Sequence, residues 1–134
     1  MSEEAYRVAD ALAAAIAARD VEALRRVYAD DIEVWHSPTN LIQTKEENCG
    51  LLDALFKITS RLSYDEVRRH PIEGGLVEQH VLTGAFTDGQ PLPGLQVSTY
   101  IYVRGNQISR IEEYFDSNTF APVWERLAAA APEG

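Results

Sequence analysis

Cationic residues are scarce. Twelve Lys and Arg stand against 21 Asp and Glu in 134 residues, a formal charge of −9 at pH 7. Nucleic acid and anionic membranes both demand clustered Lys and Arg, so neither is expected as a partner. The pairs Arg25–Arg26 and Arg68–Arg69 have acids close by and read as solvated faces. One cysteine, Cys49, excludes an internal disulfide framework, and it reads as a small buried helix residue rather than a nucleophile. No apolar run approaches the ~20 residues of a membrane span. Met1-Ser2-Glu3-Glu4 lacks the basic stretch of a signal peptide, and a cytoplasmic protein is the expectation. A glycine-rich phosphate loop, a serine elbow, His-Glu-x-x-His and Cys-x-x-Cys are all missing.

What is present is ordinary globular material, 46% apolar and 25% charged. The length suits one domain over residues 1–134 and is too short for a two-lobed dinucleotide fold or a (β/α)₈ barrel. Val8, Leu12 and Ile16, thickened by Ala5, Ala9 and Ala15, predict an opening helix. A short second helix follows on Val21, Leu24, Val27 and Tyr28, ended by Asp30-Asp31. The period then becomes two, predicting a strand over Asp31–Ser37 that stops at the turn cluster Ser37-Pro38-Thr39-Asn40. Thr44-Lys-Glu-Glu47 is a capping box, and a third helix is predicted from about 45 to 62 with Leu62 on its stripe. Strands follow at Tyr64–Pro71, Leu76–Phe86, Gln96–Arg104 and Gln107–Asp116, the last two joined at Gly105-Asn106. A final helix from about 119 to 131 frays into Pro132. This order predicts an α+β domain, a curved antiparallel sheet over helices with a pocket between them.

With no strong motif, chemistry is sought in polar residues that fall on apolar faces. Glu113 alternates in phase with Ile111 and Phe115, which partly desolvates it, a setting in which carboxyl groups act as acids and bases. Reversed strand faces would instead leave it solvated. His36 is in phase with Ile32 and Val34 at the end of the first strand, suited to proton transfer or to capping that end. In Leu76–Phe86 both faces are largely apolar, so the period does not decide between Gln79 and His80. Thr99 and Asn48 are polar residues near the same pocket, and His70 reads as surface. His36, His80 and Glu113 lack the local spacing of a metal site, so none is expected.

The segment Ala9–Asp31, with Ala-Arg-Asp and Leu-Arg-Arg-Val-Tyr-Ala-Asp-Asp, resembles the opening of SnoaL-like proteins of the NTF2-like superfamily. Gly105-Asn-Gln-Ile-Ser-Arg-Ile-Glu-Glu-Tyr-Phe-Asp116 resembles their closing hairpin, and Trp35-His36, Gln79-His80-Val-Leu and Glu113-Tyr114 resemble a SnoaL-like subgroup. The resemblance implies a cone-shaped α+β fold that hosts isomerases, cyclases, dehydratases, epoxide hydrolases and non-catalytic binders. His36 matches the position of the catalytic aspartate of ketosteroid isomerases, whose oxyanion donors would fall near Leu12 and Thr99. Glu113 matches by type an aspartate of limonene-epoxide-hydrolase-like proteins. Their Arg-x-Asp pair is replaced here by Glu78, Gln79 and His80.

The resulting expectation is an acid/base enzyme without cofactor, of isomerase, cyclase or dehydratase type, acting on a small apolar molecule. His36 is the expected base, Glu113 the acid, and His80 a further polar anchor. Thr99, Gln79, Asn48 and Trp35 are the candidate ligand contacts. Trp35 and Tyr100 also suit the outer face of the sheet, where a homodimer is expected. A non-catalytic ligand-binding or interaction domain stays open as the competing class.

Overall fold

The computed structural model describes residues 2–130. Helix α1 (Ser2–Ala18) buries Ala5, Val8, Ala9, Leu12, Ala15 and Ile16, the stripe expected from their spacing. Its alanines let the helix lie close on the sheet. Arg19 takes positive φ, and Asp20 caps α2 (Val21–Val27) by accepting from the Glu22 and Ala23 amides. Tyr28 does not extend that helix as expected; it opens β1 (Tyr28–His36). The turn at residues 37–40 is present, and its Asn40 at positive φ leads into a short edge strand, β2 (Leu41–Gln43), that the sequence did not suggest.

The capping box on Thr44 and Glu47 starts α3 (Lys45–Ile58) as expected, but the helix stops four residues early. Ile58 and Thr59 are both β-branched and stiff at χ1. The Thr59 hydroxyl donates to the Leu55 carbonyl at 2.9 Å, and Arg19 donates to the carbonyls of Phe56 and Thr59, closing the helix end. Leu62, placed on the helical stripe by its spacing, is therefore buried in β3 (Thr59–Ile72) opposite Gly84. Then come β4 (Gly75–Phe86), β5 (Leu95–Arg104), β6 (Gln107–Phe115) and α4 (Ala121–Ala130). Gly105 and Asn106 both take positive φ at the β5–β6 turn, as a two-residue hairpin needs. The predicted fraying from residue 131 into Pro132 lies outside the described residues. No helix among the described residues is long and apolar enough to cross a membrane.

The six strands run in the order β2-β1-β6-β5-β4-β3. The sheet is mixed, which corrects the expectation of an antiparallel one. β3 to β6 form the expected meander, but its three reversals bring β6 back parallel to β1. Helices α1, α3 and α4 cover the concave face, where the core clusters.

Glycine matters at two contrasting places. A Cβ on Gly84 would overlap the Arg61 carbonyl across the β3–β4 pair, whereas one on Gly50, inside α3, would meet nothing within 4 Å. Gly84→Ala is expected to destabilise by about 1–3 kcal/mol. Gly50→Ala should stabilise by about 0.5–1 kcal/mol. Urea unfolding of the two variants checks both signs.

Candidate active site

Between the concave face and the helices lies a cavity of about 900 Å³, its open mouth included. Most of its wall is apolar: Leu12 and Ile16 from α1, Leu51, Leu52 and Leu55 from α3, and Phe120, Trp124 and Leu127 at the α4 end. The lining suits a small, largely apolar molecule.

The polar groups come from the sheet and follow its register. His36 on β1 pairs with Glu113 on β6, Glu113 with Thr99 on β5, Thr99 with Glu78 on β4, and Glu78 with Arg69 on β3. Directly opposed residues project to the same face, so these five form one polar row across the cone. His36 Nε2 lies 3.6 Å from Glu113 Oε1, with side chains only 16% and 26% exposed. The separation is longer than a hydrogen bond, so each group keeps its capacity to exchange a proton with a bound molecule. The Thr99 hydroxyl is buried and has no hydrogen-bond partner among the described residues.

At the far end of the row the contacts tighten. Glu78 is buried, its Oε1 accepting from Arg69 Nε at 2.7 Å and its Oε2 lying 2.7 Å from His80 Nδ1. Arg69 also donates to Asp10 of α1 at 2.6 Å. Tyr64 stacks on the His80 ring, centroids 3.8 Å apart and planes 11° apart. Near the helices, the Tyr28 hydroxyl donates to Asn48 Oδ1 at 2.7 Å, and Asn48 Nδ2 donates to Gln43. Burial, reinforced by the negative charge of Glu113, holds the Tyr28 and Tyr64 phenols well above the ordinary tyrosine range. Burial also raises the Cys49 thiol.

Of the residues singled out from sequence, His36, Glu113, His80, Thr99 and Asn48 line the cavity. Gln79 and Trp35 do not. Alternation places Gln79 opposite to Glu78 and His80, beside Ser98 and Arg68 on the convex side. Trp35 likewise points away from Val34 and His36, with its ring against Tyr114 at 5.1 Å and Nε1 donating to Asn40. Glu78, noted in the sequence only where it departs from the epoxide-hydrolase pattern, is not among the expected site residues although it alternates in phase with Leu76, His80 and Leu82. Arg69, expected on a solvated face, turns inward because of a bulge at Glu66, which has φ 53°. The bulge reverses strand parity, so Tyr64 and Arg69 share the concave face and Arg68 is left outside. Among the described residues, no three His, Cys, Asp or Glu side chains gather closely enough to hold a metal ion.

An NTF2-like protein from Burkholderia xenovorans LB400 superposes with a TM-score of 0.70 at 20% identity, covering 91% of this chain and 96% of its own. The fold is NTF2-like. The same cone is seen in a candidate polyketide cyclase from Pseudomonas putida KT2440, with TM-score 0.74, 16% identity and coverage of 91% and 97%. An LEH-like epoxide hydrolase from M. tuberculosis gives TM-score 0.71, 16% identity and coverage of 96% and 95%. No protein-family model matches the chain, and no curated protein does.

The raised phenols carry a consequence for stability. Tyr28 and Tyr64 titrate near 10 in the unfolded chain and higher in the folded one. Above that pH the unfolded state has lost protons that the folded state keeps, so stability is full below about pH 10 and falls as pH rises further. Denaturant unfolding at pH 9 and 11 should show this loss, and Tyr64→Phe should lessen it.

Proposed function

We propose that the protein is an acid/base enzyme, acting without a cofactor on a small, largely apolar molecule that carries a carbonyl or hydroxyl group. The carrying observation is the His36–Glu113 pair, held 3.6 Å apart on the wall of a largely apolar cavity. One of the two removes a proton next to the substrate's oxygen-bearing carbon, and the other keeps the pair's charge balanced or returns a proton elsewhere. The unpartnered Thr99 hydroxyl, next in the row, offers a hydrogen bond to the substrate oxygen as charge develops there. Isomerisation, ring closure and hydration–dehydration all reduce to such proton movements. Structural neighbours named as a candidate polyketide cyclase and as an epoxide hydrolase support this reading. A homodimer through the convex face, where Trp35, Tyr100 and Tyr114 lie together, belongs to the same reading and is checked by sedimentation equilibrium.

The test is solvent-deuterium exchange by NMR on a panel of small cyclic ketones and enones in D₂O. The enzyme is expected to catalyse exchange next to the carbonyl of at least one class. His36→Ala and Glu113→Gln should each lose roughly 10²-fold or more, the scale of a positioned acid or base, with unchanged melting temperature. Undiminished exchange in either variant removes that residue from the mechanism. No exchange, with ketones still raising the melting temperature, replaces the enzyme by a ligand-binding domain.

A further inference from the structure

The row ends in a second carboxylate–imidazole pair that the reading above does not use. Glu78 accepts from the Arg69 guanidinium on one oxygen and meets His80 Nδ1 with the other. A carboxylate held by a guanidinium is the ionised, acceptor-only form, so the proton in the second contact belongs to the imidazole. Nδ1 therefore donates, and Nε2 is the ring nitrogen left with a lone pair. The stacked Tyr64 ring fixes the plane in which that lone pair points. Arg69 is itself anchored from outside by Asp10, so the chain of charges runs from the surface of α1 to the cavity wall.

We propose that Asp10, Arg69 and Glu78 form a relay of fixed charges that locks His80 as its Nδ1–H tautomer, making Nε2 a second proton acceptor of the cavity. Glu78 and Arg69 are then positioning residues. Packing alone gives no reason for the arrangement. A buried ion pair often stabilises no better than apolar side chains of the same volume, and the inner face of α1 is otherwise built of Ala, Val, Leu and Ile, with the Tyr6 ring beneath Arg69. The inference rests on the cavity being an acid/base site, but its test needs no substrate. Failure of the relay and failure of the exchange assay are therefore separate results.

Histidine tautomers are read directly from long-range ¹H–¹⁵N correlation spectra of the full ¹⁵N-labelled chain, at alkaline pH where imidazoles are neutral. The three histidines are assigned by substitution. In the unmodified protein, His80 is expected as a single tautomer with its proton on Nδ1. In Glu78→Gln, Arg69 Nε still claims the side-chain oxygen, so the amide NH₂ faces Nδ1 and forces it to accept. His80 then switches to Nε2–H while His36 keeps its signals. In the double variant Glu78→Gln with Arg69→Met, the amide is free to turn and Nδ1–H returns. A proton on Nε2 of His80 in the unmodified protein overturns the proposal whatever the variants do. So does an unswitched tautomer in a folded Glu78→Gln variant.

Discussion

The parallel pairing of β1 with β6 is the constraint on which the site depends. It joins a strand near the start of the chain to the last one, and its register sets His36 beside Glu113. A slip of one residue would carry one partner to the convex face, since side chains alternate with a period of two. The slip is opposed from both sides. Ile32 and Val34 of β1 and Ile111 of β6 are buried in the core, so the faces cannot exchange without exposing them. The tight turn at Gly105-Asn106 pairs Arg104 with Gln107, and one extra residue in β6, between Ile108 and Arg110, then shifts the register so that Glu113 comes opposite Thr99. The dyad is thus a product of strand register rather than of any local motif.

The same register extends the polar row to Glu78 and Arg69, and here energetics shape the outcome. A lone carboxylate as buried as Glu78 would cost several kcal/mol. It is sustained by two charge-assisted contacts, one on each oxygen, and its cation is in turn held by Asp10. Glu113 is treated differently. It lies at the open part of the cavity, a quarter exposed, with a looser contact to His36. One end of the row is rigid and fully partnered, while the other is left able to engage a bound molecule. Thr99, between them, has a hydroxyl with no hydrogen-bond partner among the described residues.

Much of this was legible from residue pattern. Alternation in β6 and β1 placed Glu113 and His36 on the inner face, the capping box located α3, and Gly105-Asn106 located the last hairpin. The rest depended on information that a period does not carry. The end of α3 was hidden because Leu62 satisfies helical spacing and strand alternation equally well, and only the β-branched pair Ile58-Thr59 with the Arg19 cap decides it. Gln79 and His80 had equally apolar faces, and register with β5 was needed to turn His80 inward. Arg69 was out of reach, because the bulge at Glu66 reverses parity within a strand. The parallel β1–β6 contact is a matter of topology and leaves no local mark.

The division of labour between sheet and helices follows from these contacts. Every group able to move a proton stands on a strand, where ladder hydrogen bonds on both sides fix its place to within the tolerance that proton transfer demands. Apart from Asn48, the helices contribute apolar side chains to the cavity wall, with Leu51, Leu52, Phe120, Trp124 and Leu127 closing it opposite the row. Exchanging those side chains alters cavity shape without disturbing the register that sets His36 against Glu113. In the acid/base reading proposed above, reaction type rests with the sheet and the choice of molecule with the helices.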